Sequence, residues 1–191
     1  MERGHGVGVP EVAGERLRLR AWREADLAPF AEMNADPQVA SWLSGPLTRA
    51  ESDAFVERIQ EHMRQHGFGF WALELPGVAD FAGYVGFAVP NFEADFMPCV
   101  EIGWRLCPAY WGHGYVTEAA RGCLGFAFRR VGLSELLSFT AIGNQRSRAV
   151  MERIGMRESR EFDHPKLDVT HPLRRHVIYR LAATEWEGAT P

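Results

Sequence analysis

One segment limits what this chain can fold into more than any other. It is a strand-like run, Cys99 to Leu106, then a loop holding Gly112 and Gly114, then a helical stripe. Val116, Ala119, Ala120, Cys123, Leu124, Ala127, Phe128 and Val131 fall on one side of a helix that Gly132 ends, so that side must pack on a sheet. A strand, a glycine loop and a helix start bring free N–H groups and the positive end of a helix dipole to one point. Such a point attracts an anion, typically a phosphate. Glycines there also serve a plain tight turn, and that reading stays open beside the first. The chain has neither GxxxxGKS/T nor GxGxxG, which excludes a P-loop and a dinucleotide fingerprint.

The elements around this segment follow from periodicity. Glu15 to Ala21 alternates, with Leu17, Leu19 and Ala21 on one face and arginines on the other, which predicts a half-buried strand. Glu24 to Asn34 reads as helical. Thr48 and Glu51 form a capping box for a helix whose Phe55, Ile59 and Met63 share a face until Gly67 stops it. Phe68 to Leu75 and Phe81 to Val89 flank Pro76-Gly77 as an antiparallel hairpin. Leu136 to Ala141 is a further strand, Asn144 caps a short helix reaching Gly155, and two strands lie near Arg157 to Asp163 and His176 to Leu181. This order predicts a mixed-sheet α/β domain over residues 14–183. Residues 1–13 are expected to be a flexible leader and 184–191 a flexible tail.

Composition narrows the function. With 191 residues the chain suits one domain, and no apolar run approaches the ~20 residues of a membrane span. Cys99, Cys107 and Cys123 are an odd set without a CxxC pair, which suits a reduced, cytoplasmic protein. A net charge of −4 argues against nucleic acid as a partner. His164, His171 and His176 match no common zinc spacing and are expected on a polar loop, with no metal. Trp71, Trp104 and Phe92 are expected in the core. Glu101 lies on an otherwise apolar strand, where an unpaired carboxylate is costly to bury, so it faces water, a partner or a site.

YWGHGYVTEA, preceded by VEIGWRL and followed by NQRSRAVMERIGM, resembles the GCN5-related N-acetyltransferase (GNAT) superfamily, in its ribosomal-protein-acetyltransferase-like branch. The resemblance runs from about Glu15 to Leu181 and includes the loop FDHPKLDVTHPLRRH, which is similar to a bacterial subgroup. It implies a single α/β domain with a mixed, mostly antiparallel sheet, two splayed parallel central strands and flanking helices. It implies that acetyl-CoA lies between Cys99–Leu106 and Leu136–Ala141, against Trp104, Arg105 and Leu106. Its pyrophosphate would lie on Trp111, Gly112, His113, Gly114, Tyr115 and Val116, with Asn144 and Ser147 also in contact. Where the family's loop begins with Arg or Gln, this chain has Ala109, and where many relatives carry a tyrosine it has Met151.

For chemistry the resemblance implies Glu101 as a base acting through water, the alternative being a solvent-facing strand glutamate. Methionine donates no proton, so Ser147 is the candidate acid, or else only a ligand contact. The expected activity is acetyl-CoA-dependent transfer of an acetyl group to a primary amine, on a protein N-terminus or a small molecule, by direct attack on the thioester. A catalytically silent acetyl-CoA-binding module is the alternative. Relatives are commonly dimers, which leaves a homodimer open.

Overall fold

The computed structural model describes residues 11–189, so most of the expected leader lies outside the described residues. The elements are β1 (Val12–Ala13), β2 (Arg18–Arg20), α1 (Leu27–Ala35), α2 (Pro37–Ala40), α3 (Arg49–His66), β3 (Phe70–Leu75), β4 (Ala79–Ala88), β5 (Glu101–Leu106), α4 (Tyr115–Phe126), β6 (Glu135–Ala141), α5 (Gln145–Arg153), β7 (Arg157–Asp163) and β8 (Arg175–Ala182). Eight strands make one sheet in the order β1-β2-β3-β4-β5-β6-β8-β7. Among the described residues only the central pair, β5 and β6, is parallel; each other pair is antiparallel.

Local rules place the helices. The Thr48 hydroxyl accepts from the Glu51 amide at 3.3 Å while Glu51 Oε2 accepts from the Thr48 amide at 2.8 Å, and Gly67 ends α3 in the left-handed region with φ 74°. On one face of the sheet α1 and α3 bring Phe30 and Phe55 against Tyr84, with centroids 6.0 Å apart in both pairs. On the other face α4 brings Phe126 within 5.5 Å of Trp71 and 6.1 Å of Phe87. Ala119, Ala120, Cys123 and Leu124 of the apolar stripe are buried there, so the helix periodicity becomes core.

Several expectations change. Arg20 is 1% exposed, whereas Ala21 of the supposed buried face is exposed. Burial is possible because Asp26 accepts two bonds from the Arg20 guanidinium, at 2.7 and 2.8 Å, and Glu74 accepts a third at 2.6 Å. Val12–Ala13, assigned to the leader, is a strand paired with Leu19 and Arg18. In the expected tail, residues 184–189 form short turns, and Trp186 packs 5.5 Å from Phe128. Trp71 is core, but Trp104 is only partly buried. Phe92 joins a separate aromatic cluster with Phe96, Phe139 and His164. No described helix is long and apolar enough to cross a membrane.

Candidate active site

Parallel strands β5 and β6 have only Glu101 and Leu137 in register. There the Leu137 amide donates to the Val100 carbonyl at 3.0 Å and the Ser138 hydroxyl to the Ile102 carbonyl at 2.8 Å. Past that point the strands part, and β5 continues to Leu106 with no β6 residue opposite it. Missing ladder bonds leave backbone donors and acceptors facing a gap. The gap is part of a cleft of about 1640 Å³ that runs from the acidic start of β5 to the start of α4.

At the α4 end, Gly112 and Gly114 have φ of 83° and 80°, values that favour glycine. A Cβ on Gly112 would meet nothing within 4 Å, and one on Gly114 only Arg16 Nη2, at 3.6 Å. Backbone conformation, not crowding within the protein, therefore requires glycine here, and the space above the loop stays open. Gly114 caps α4 without a side-chain bond. The Glu118 amide donates to the Gly114 carbonyl at 3.1 Å, so the amides of Tyr115, Val116 and Thr117 precede the helix's own ladder. Free amides at a helix start suit an anion.

Arginines surround this point. Arg16 Nε donates to Glu118 Oε2 at 2.8 Å, Arg16 Nη1 to the His113 carbonyl at 3.1 Å, and the guanidinium lies 5.0 Å from the Tyr115 ring. Arg146 stacks 4.4 Å over Trp111, whose indole N–H donates to the Leu106 carbonyl at 2.8 Å. Arg121 and Arg153 also line the cleft. None of these arginines belongs to the glycine loop itself, where residue 109 is alanine. Sequence reasoning missed Arg16 and Arg146; Arg16 meets Glu118 across 102 residues, and no local pattern announces such a pair.

At the other end Glu101 is partly exposed into the cleft, and burial pushes its carboxyl up to about 8. Its Oε1 leans to within 3.6 Å of where a Cβ on Gly103 would stand. Tyr84, Phe70 and Phe55, which the sequence did not single out for the site, line this end beside it. The Tyr84 phenol is raised, first by burial; the Arg105 charge opposes that rise and the Glu101 charge adds to it. His164 stands on the loop after β7 as expected, but it is half-buried and lines the cleft, and burial holds its imidazole down at about 4, whereas His176 lies on β8 rather than on the loop. The His164 ring lies 4.9 Å from that of His176.

Of the residues anticipated from sequence, Glu101, Trp104, Arg105, Leu106, Trp111, Gly112, Gly114, Tyr115, Val116, Asn144 and Ser147 line this one cleft. His113 does not: its side chain is exposed, and only its carbonyl takes part, through Arg16. Asn144 is nearly buried; its amide donates to Thr140 Oγ1 at 3.0 Å and its oxygen accepts from the Ser147 amide at 3.3 Å. That cap presents the Ser147 hydroxyl to the cleft with no hydrogen bond among the described residues. Met151 is 1% exposed and has no proton to give.

Known proteins agree with this architecture. Residues 16–157 match the family described as an acetyltransferase (GNAT) domain. The chain is 36% identical over 177 residues to "Putative ribosomal N-acetyltransferase YdaF" of Bacillus subtilis, covering 91% of this chain and 95% of that protein. A crystal structure of the acetyltransferase from Agrobacterium tumefaciens superposes with a TM-score of 0.73 at 25% identity, over 95% of this chain and 99% of that one. Mycobacterium smegmatis RimJ in complex with CoA-disulfide shares the fold with a TM-score of 0.75 at 22% identity, over 97% and 91%. The chain belongs to the GNAT acetyltransferase family and is an N-acetyltransferase.

Proposed function

We propose that this protein transfers an acetyl group from acetyl-CoA to a primary amine, on a protein N-terminus or a small molecule, in the cytoplasm. The observation that carries the reading is one continuous cleft with the free first amides of α4, beside Arg16 and Arg146, at one end and the Glu101 carboxyl at the other. The three cysteines are free, which suits a reducing compartment.

The residues present fit acetyl-CoA. The amides of Tyr115, Val116 and Thr117, with Arg16 and Arg146, would hold its diphosphate. The parted edges of β5 and β6, near Trp104 and Leu106, would take the pantetheine arm, with Asn144 and Ser147 across the gap. Acetyl-CoA supplies the acetyl group as a thioester. The protein's own tasks are to orient the amine, remove its proton and exclude water. Glu101 would take that proton, directly or through water, and the raised carboxyl is well placed because a base works best near the operating pH. Ser147 would bond the arm or protonate the departing thiolate; a thiol with an ordinary pKa near ~8.5 leaves with little help, so the contact role is favoured. A thiol-release screen with acetyl-CoA over N-terminal peptides, aminoglycosides, polyamines and amino acids tests the reading. Amine-dependent release with acetylated product supports it. Acetyl-CoA binding without turnover of any amine would point instead to a silent binding module.

A further inference from the structure

The acceptor end of the cleft has an electrical polarity of its own. Glu101, Gly103 and Arg105 alternate onto one face of β5, and opposite them on β4 stand Ala88, Gly86 and Tyr84. This is the face covered by α1 and α3, since Arg105 donates to Asn34 Oδ1 and its guanidinium lies 5.7 Å from Phe55 and 5.5 Å from Tyr84. The glycine loop and α4 are on the other side of the sheet, so the Arg105 side chain stands apart from that loop, and only its backbone is left for the acetyl-CoA contact that the resemblance implies.

Arg105 is partly buried, lines the cleft, and has no carboxylate partner: every ion pair among the described residues uses other cations. A half-desolvated cation held by one neutral amide and two aromatic faces, with no carboxylate beside it, is unusual, because burial without a counter-ion is costly. Its Nε and Nη2 donate to no side chain or carbonyl among the described residues. Between Glu101 and Arg105 lies the Gly86–Gly103 pair, and Gly103 lines the cleft with the Phe70 ring and the Glu101 carboxyl packed beside it.

We propose that Arg105 is the anion-binding end of the acceptor subsite, so that the acceptor is a primary amine carrying an oxyanion on the same molecule. The amine sits by Glu101 and Gly103, and the oxyanion takes the free fork of Arg105. Glu101 and Arg105 are four residues apart on β5, but the Glu101 carboxyl leans to the Gly103 position, and from there to Arg105 is two residues, roughly 7 Å, which is longer than the amine-to-carboxylate distance of a free α-amino acid and close to that of a dipeptide. Phe55, Phe70 and Tyr84 give the space between apolar walls.

This inference rests on the acetyl-transfer reading, and the test separates the two. Acetyl-CoA binding is first measured by calorimetry; then kcat/KM is compared for Ala-Leu and its C-terminal amide, and for the same amine bearing a terminal phosphate in place of the carboxylate. The free acid is expected to exceed the amide by roughly 10- to 100-fold, the scale of one charge-assisted bond. Arg105→Gln should erase that difference by lowering the acid and leaving the amide unchanged, with acetyl-CoA affinity intact. If the phosphate is preferred over the carboxylate, the same site stands with phosphate as its oxyanion. If Arg105→Gln melts below the assay temperature, Arg105→Lys is read instead, with an expected fall of at least about 3-fold for the acid alone. Equal rates for acid and amide in the wild type overturn the proposal, as does an equal loss of both in the variant, which would make Arg105 a structural prop for Asn34. Normal acetyl-CoA binding with no turnover of the panel also overturns it, whereas failure of acetyl-CoA to bind removes the acetyl-transfer reading itself.

Discussion

Replacing Glu101 by Gln should remove one titration from the reaction and one penalty from folding. Burial raises this carboxyl from its ordinary value of 4.5 to about 8, so roughly a tenth is ionised at pH 7. An α-amine with a pKa near ~7.7 is mostly protonated there as well. Attack needs a neutral amine and a Glu101 carboxylate together. Two protons must therefore leave, and log kcat/KM should climb with a limiting slope of about 2 below about pH 7. In Glu101→Gln only the amine titrates. The slope should fall to about 1 and the rate at pH 8 by about 10²-fold, the usual range for loss of a general base. Thiol release followed from about pH 6 to 9 reads both quantities. Stability supplies a second reading. Between 4.5 and about 8 the folded state keeps a proton that the unfolded chain has released, so wild-type stability falls as pH rises through that window and then levels. The slope is at most about 1.4 kcal/mol per pH unit, less to the extent that cleft water solvates the carboxylate. Glu101→Gln lacks this fall, so its advantage should grow up to about pH 8. Superimposable pH–rate profiles for the two proteins would refute the base assignment, and parallel stability curves would refute the raised carboxyl.

Other perturbations separate the rest of the site from the scaffold. Gly114→Leu places a side chain at a φ of 80° above the free amides; folding should lose about 1–3 kcal/mol, while calorimetry should show acetyl-CoA affinity falling by at least about tenfold. Ser147→Ala should weaken acetyl-CoA binding more than it lowers kcat if the hydroxyl is a contact, and Met151→Tyr should then restore no rate; the opposite split in steady-state kinetics would make Ser147 the acid. Asp26→Ala leaves Arg20, 1% exposed, with Glu74 as its remaining carboxylate, and a denaturant midpoint should report a loss of about 3 kcal/mol.

Features governed by neighbouring residues were legible in the sequence. Thr48 and Glu51 announce a cap because its two bonds join residues in one turn. Gly112 and Gly114 announce the loop because their positive φ excludes most other residues. The mixed sheet followed from the order of elements. Features that depend on distant partners were not legible. Arg20 reads as a solvent-facing strand arginine until Glu74, 54 residues away, is brought beside it. Arg16 and Glu118 are likewise joined only by the pairing of β1 and β2 next to α4. Phe92 and His164 look like a core residue and a loop residue, yet they pack 4.9 Å apart because the segment before β5 crosses β6 and the end of β7. The point at which β5 and β6 part, which creates the cleft, depends on where two strands lose register, and no single strand's sequence records that.

The backbone amide spectrum of the wild-type protein during an acetyl-CoA titration tests most directly whether the glycine loop and the parted strands are two ends of one site. The expected result is saturable shifts at Gly112, Gly114, Tyr115 and Val116, with concerted changes at Trp104 and Leu106 that report the same affinity. Shifts confined to residues outside this cleft, or loop shifts that inorganic phosphate reproduces in full without changes on β5, would contradict it.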